Sequence, residues 1–365
     1  MKTIKRTVCA VLALILIACT FSGCHQQGEV AMTFGEGSSK VEITSSLYLC
    51  NLIQAYQEGM SEVDAALAET EESEETAEDT AEEQVDYLKQ KIDGKDFTEW
   101  VEEKAMENLK KYAAVQTAIK DAGVTLTDEQ ETEVATYTDY YWNTYGYSTV
   151  YEKNGVGYET FETFRRSSTQ EYAYFDSIYG TGGGKEVAKK EIMAHLKEHY
   201  VPVNVVAFSK YDNTTGEAID ETEVATMKKK FTNYADQLDA KEISFAKVYE
   251  AINGTAEDGS DPDYSSYVGD EETDYAIDDF KKVKKLGNKK CVVIEDDYGI
   301  YLYQKLKIDD ENYEELQSSV VYSLKNDEFQ EEILRIGNDL KLEKNNYALK
   351  RLKVKNIDLA TDVTV

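Results

Sequence analysis

The residues whose types and spacing most directly imply chemistry stand at the amino end, in Phe21-Ser22-Gly23-Cys24. Small residues lead into a cysteine whose thiol can accept a diacylglyceryl group before cleavage frees its amine. Upstream lie Lys2, Lys5 and Arg6, then an apolar run from Val8 to Ala18. That run falls short of the roughly twenty residues a membrane span needs and has the shape of a secretory signal. A second candidate, Leu16-Ile17-Ala18-Cys19, carries the usual leucine three places before the cysteine, but it would cut the apolar run short. Cys24 is therefore preferred over Cys19, with residues 1–23 as a signal peptide. The expected product is a lipid-anchored chain on the extracytoplasmic face of the cell membrane.

The remaining reactive side chains are sparse. Of five cysteines only Cys50 and Cys291 fall in the mature body, too far apart in sequence to suggest a disulfide framework or a C-x-x-C site. They read as small buried hydrophobes. The three histidines are His25, His195 and His199. The last two are spaced to share a helix face, but His195-Leu196-Lys197-Glu198-His199 lacks the His-Glu-x-x-His order, and no third ligand stands at zinc spacing. Asp258, Asp261 and Asp263 do not match the twelve-residue calcium loop and read as a solvated turn. Gly182-Gly183-Gly184 lacks the context of a phosphate loop and reads as a turn. No cofactor or metal site emerges.

The formal charge of −31 becomes about −34 once Lys2, Lys5 and Arg6 leave with the signal. Such a surface repels nucleic acid and anionic headgroups, so attachment to the membrane falls to the acyl chains. Residues 61–84 hold eleven acids, no base and almost no large apolar side chain. They read as a disordered, self-repelling insertion. Tyrosine is abundant, at 27 residues, and clusters at Tyr137, Tyr140, Tyr141, Tyr145, Tyr147 and Tyr151 around Trp142. Helical spacing sends part of this cluster to a core; the remainder would form an amphipathic surface able to touch unfolded chains.

Hydropathy patterning supplies the elements that must position these residues. Residues 29–43 alternate as one or two short strands around Gly35-Glu36-Gly37, and a helix follows from Ser45 to about Gln57. Asp96 and Glu99 have capping-box spacing ahead of a stripe formed by Val101, Ala105, Leu109, Tyr112 and Ile119, closed by Gly123. Thr127 and Gln130 repeat that signature for a helix to about Tyr141, followed by helices near Tyr158–Ile178 and Val187–His199. Short connections imply antiparallel helical packing. After Pro202 the pattern becomes a strand at Val203–Phe208, helices near Glu221–Leu238 and Ser244–Ile252, then a Gly/Asp/Ser/Pro loop from Gly254 to Gly269. Strands follow at Cys291–Ile294 and Ile300–Lys307. Helices near Tyr313–Leu324 and Glu328–Leu340 and an extended tail complete the chain. The fold class is α+β.

With these segments in order, the chain resembles the extracytoplasmic foldases of the SurA/PrsA type, in which a helical chaperone domain flanks a parvulin-type prolyl isomerase domain. The helix Phe97–Ala122, its Gly123-Val124-Thr125-Leu126-Thr127 break, the Gly155–Phe161 link and the Tyr179-Gly180 stop resemble the chaperone domain. Val203–Phe208, Ser244–Tyr249 and Tyr298–Tyr303 resemble the first strand, a short helix and the last strand of the parvulin domain. The resemblance implies a helical domain over 24–200, a parvulin-like domain over 201–308 and carboxy-terminal helices over 309–365. It also implies a substrate groove at Ala207, Phe208, Phe280 and Tyr301. Active parvulins set two histidines at the groove's centre; here the matching positions are Ala207 and Tyr301, and an alanine offers no ring hydrogen bond. The resemblance thus implies a foldase or holdase for unfolded, newly exported proteins without efficient isomerase chemistry. Its rivals are an active peptidyl-prolyl isomerase of the same architecture and a solute- or partner-binding envelope lipoprotein. A two-lobed solute receptor is disfavoured by the helix-heavy first half.

Overall fold

In the computed structural model the described residues are 28–71, 85–212, 214–255, 263–270 and 277–359. Residues 1–23, expected as a signal peptide, with Cys19 among them, and Cys24 lie outside them, as do residues 72–84 of the acidic tract and Asp258 and Asp261. The chain is α+β and divides into two compact units, one formed by Met1–Lys185 with Asn326–Val365 and the other by Glu186–Lys325.

The first unit is mainly helical, with a small sheet. Strand β1 (Val30–Phe34) is central, flanked antiparallel by β2 (Val41–Thr44) and by β9 (Leu342–Lys344) from the far end of the chain. Helix α1 (Ser45–Glu71) buries Leu47, Leu52, Ala55 and Val63 against Phe97, Val101, Ala105 and Leu109 of α2 (Phe97–Ala122). Its other side sends Cys50 and Ile53 into an aromatic cluster with Trp142, Tyr151 and Phe161. These three rings come from α3 (Asp128–Asn143), α4 (Tyr147–Lys153) and α5 (Tyr158–Tyr179). Both flanks of α1 are thus apolar.

Two expectations for this unit are corrected. The helix begun at Ser45 does not stop near Gln57: it runs to Glu71, so residues 61–71 are helix rather than insertion. Val63 is the reason. It stands in register with the buried stripe and is only 4% exposed, while Tyr87 donates its hydroxyl to Asp64 at 2.9 Å. The capping box expected at Asp96 is absent, because that carboxylate accepts no helical N–H. Asp96 instead ends a two-residue hairpin, β3 (Lys91–Ile92) with β4 (Lys95–Asp96), where it pairs with Lys91 at 3.4 Å. The box at Thr127 and Gln130 forms in both directions, and Gly123 closes α2 in the left-handed region at φ +69°.

The second unit begins with α6 (Lys189–His199). It then follows the order β5 (Tyr200–Ser209), α7 (Glu221–Asp239), α8 (Phe245–Asn253), β6 (Ser265–Gly269), α9 (Ile277–Lys284), β7 (Cys291–Glu295) and β8 (Gly299–Lys305). Its four strands form one antiparallel sheet in the spatial order β6-β5-β8-β7. Strand β6 lies in what the sequence reads as loop, since only Tyr267 and Val268 of Ser265–Gly269 carry apolar bulk. Because side chains alternate across a strand, the sheet has two apolar faces. Val206, Ile300 and Leu302 pack with Phe231, Leu238, Phe245 and Val248 of α7 and α8. Val201, Val203 and Tyr303 pack with Phe280 and Val283 of α9 on the opposite face.

Helix α10 (Asp310–Asp339) is continuous where the sequence suggests two helices. Val320 and Val321 are buried before Lys325-Asn326-Asp327, Phe329 and Ile333 after it, and no proline or glycine interrupts the helix there. The tail is likewise more structured than expected. After β9, Asn345 caps the turn α11 (Asn346–Leu349) by accepting from the N–H groups of Tyr347 and Ala348, and Val354 is fully buried beyond it.

Candidate functional site

The hydrogen-bond register between β5 and β8 pairs Val205 with Tyr303, Ala207 with Tyr301 and Ser209 with Gly299. Alternation puts Ala207 on the face of Val203 and Val205, where Phe280 of α9 is 4% exposed and Tyr301 is half-buried against the same cluster. Ala207 itself is exposed. The Tyr301 ring stacks on Tyr303 at 6.1 Å between centroids and 18° between planes. Phe208 is not part of this arrangement. One residue along the strand from Ala207, it faces the other side of the sheet and packs in the cluster of Phe231 and Leu238. Three of the four groove residues are thus brought together and the fourth is placed behind the sheet.

Polar groups beneath the groove escape sequence reasoning. The Asp279 carboxylate, 13% exposed, lies 3.5 Å from Lys282 and close enough to the Tyr303 hydroxyl to shift it. Burial, followed by the charge of Asp279, pushes the Tyr303 hydroxyl far above its ordinary range. Burial also raises Tyr301, with Asp296 and Asp279 adding to the shift. Both phenols therefore stay protonated near neutral pH and serve as hydrogen-bond donors. A period-two reading of Tyr301 and Tyr303 on one strand identifies the aromatic pair. Nothing in the local pattern singles out Asp279, an acid beside a core phenylalanine.

The histidines are elsewhere. His195 and His199 sit on α6 with ring centroids 4.4 Å apart, and His199 Nδ1 lies 2.9 Å from Asp270 Oδ1 at the end of β6. Eight residues of extended chain separate His199 from Ala207, about 26 Å at a strand's rise per residue. Neither ring can serve the groove. Among the described residues no cluster of three His, Cys, Asp or Glu side chains is arranged to hold a metal ion. Cys50 is fully buried, and burial raises its thiol strongly. Cys291 is pushed up to about 12 by burial and then by Asp239. Neither is a thiolate nucleophile at neutral pH.

The tyrosine cluster of the first unit divides by depth. Trp142 and Tyr151 are core, whereas Tyr137, Tyr140 and Tyr145 are 50%, 46% and 44% exposed. Tyr140 and Tyr145 meet edge to face at 5.2 Å, and the Arg165 guanidinium lies over the Tyr141 ring at 4.5 Å. Beside Tyr137 a groove of about 410 Å³ opens between α3 and α5, lined by Glu133, Val134, Arg165 and Tyr172 among others.

Neither a protein-family model nor a curated protein matches this sequence. Among solved structures it is similar to the foldase protein PrsA of Streptococcus pneumoniae, at 14% identity and a TM-score of 0.39, over 68% of this chain and 88% of that one. It is also similar to PrsA of Bacillus subtilis, at 12% identity and a TM-score of 0.30, over 78% and 95% of the two chains. A peptidylprolyl isomerase (PrsA) of Bacillus anthracis matches at 16% identity and a TM-score of 0.23, over 63% and 95%. At these values the likenesses carry no functional weight.

Proposed function

We propose that this chain is an extracytoplasmic foldase or holdase, tethered to the membrane through acylated Cys24, that holds unfolded exported proteins without efficient isomerase chemistry. The observation that carries the reading is the pairing of exposed Ala207 with Tyr301 at the centre of a four-stranded sheet. The groove there offers aromatic surface and phenolic donors and no imidazole. Rotation about a peptide bond faces a barrier of roughly 18–20 kcal/mol, so lowering it requires groups placed to favour the twisted amide. Ala207 supplies no such group. Binding needs only adaptable contact area and a few donors, which half-buried Tyr301 and the exposed tyrosines of α3 can provide.

The tether accords with the described part of the chain, in which no helix is long and apolar enough to cross a membrane. Intact-mass measurement of the protein extracted from membranes is expected to give a diacylated chain beginning at Cys24; one beginning at Cys19 would move the anchor, and an unmodified amino end would remove it. For the groove, a proline-switch peptide assay should show a rate within about twofold of the uncatalysed background. A saturable rate that scales with protein concentration would make the chain an active isomerase instead.

A further inference from the structure

The exposed face of α3 combines two features that suit one kind of partner. At 100° per residue, Glu129, Glu133, Thr136, Tyr137 and Tyr140 fall on one side of the helix, and all five are exposed. Val134, Thr138 and Trp142 on the opposite side are buried. The helix carries Asp128, Glu129, Glu131, Glu133 and Asp139 and no basic residue. Of these, Glu131 is committed to Arg166, and Asp139 accepts from Asn143 at 2.7 Å. Among the described residues, neither the Glu129 nor the Glu133 carboxylate has a hydrogen-bond or ion-pair partner. The tyrosines lie toward the helix's carboxyl end, where the macrodipole is negative.

We propose that this face is a docking surface for a cationic unfolded segment, rich in lysine or arginine, with Glu129 and Glu133 pairing its charges and Tyr137 and Tyr140 receiving its cationic heads and alkyl stems. The choice of an unfolded occupant rests on the client-holding reading above; the choice of charge does not. Electrostatic complementarity selects it: Glu129 and Glu133, on the exposed face of a helix without a basic residue and on a chain of formal charge −31, attract cations and repel an acidic segment or a second copy of the same chain. The chain also contains the contact in question, since Arg165 already lies over Tyr141 at 4.5 Å next to this face.

The test uses the full lipidated chain in lipid nanodiscs and two unstructured fluorescent peptides of equal length and aromatic content, one lysine- and arginine-rich and the other aspartate- and glutamate-rich. Anisotropy titration should show the cationic peptide binding about tenfold tighter or more, a difference that shrinks as salt rises. The isosteric double variant Glu129→Gln/Glu133→Gln should weaken cationic binding several-fold without changing the circular dichroism spectrum. Tyr137→Leu/Tyr140→Leu, which keeps apolar bulk and removes the quadrupole, should weaken it as well. Equal binding of the two peptides, or unchanged cationic affinity in both variants, overturns the docking surface. If the wild type then still suppresses reporter aggregation, the client-holding reading survives without it. Selective binding that both variants weaken, with no suppression of aggregation, supports the surface and overturns the holding function.

Discussion

At the residue scale, the proposed function turns on a strand pair that sets a methyl group, Ala207, opposite a phenol, Tyr301. Both identities were legible in sequence once β5 and β8 were recognised, because strand alternation fixes which residues face each other. The misassignment of Phe208 has the same origin: a one-residue step on a strand exchanges faces, so a neighbour in sequence is no neighbour in the groove. Asp279 was illegible because its role depends on α9 crossing the sheet at Tyr303, a tertiary event. Electrostatics at this scale can be checked at Glu295, which lies 3.0 Å from Lys210 and 2.6 Å from Lys228. Hydrogen bonds from Lys228 and then Lys210 lower its carboxyl below the usual glutamate value. A depressed folded-state pKa contributes stability above the unfolded pKa and loses it as pH falls through the folded one. Glu295→Gln should therefore lower Tm at neutral pH, and the gap from wild type should close as pH drops below the ordinary carboxylate range. Melting curves across that range check it; a gap that does not vary with pH would show that the ion pairs contribute nothing.

At the element scale, the helices were read well where periodicity and caps agreed, as at Thr127 with Gln130 and at Gly123. They were misread where composition outweighed pattern. The acid-rich stretch after Ser61 reads as loop, yet a single buried Val63 suffices to keep the helix against its neighbours. Asn326-Asp327 reads as a break, yet neither residue is a proline or glycine and the helix continues through them. Strand β6 was hidden because a strand in a sheet's hydrogen-bond ladder needs little apolar bulk of its own. One packing contact between elements is sharply testable. Gly337 of α10 is set so close to α2 that an added Cβ would collide with the Lys110 carbonyl oxygen and carbon. Alanine is the better helix former by roughly 1 kcal/mol, so propensity alone favours Gly337→Ala. Collision with backbone should win, because neither helix can yield without disturbing Phe329 and Ile333, which are 2% and 1% exposed. The expected net loss is about 1–3 kcal/mol in a denaturant titration. An alanine variant as stable as wild type would mean that the two helices are free to separate.

At the scale of the whole molecule, the chain is acidic and its described residues fall into two compact units. The first unit joins residues from both ends of the chain, through β9 beside β1 and Phe329 at 5.3 Å from Phe175. Local periodicity cannot reveal such closure, since it is a pairing across some three hundred residues of sequence. What unites the scales in the proposed function is holding without turnover, in which tyrosine-bearing surface and an imidazole-free sheet face would offer contact and the chain's charge would bias which contacts are favoured. The direct measurement is light scattering of a chemically unfolded reporter diluted into buffer with increasing amounts of the nanodisc-held chain. The account predicts that scattering falls in proportion to the protein added, saturating near stoichiometric ratios, with no nucleotide or other energy source. Scattering that follows the empty-nanodisc control at every ratio would contradict it.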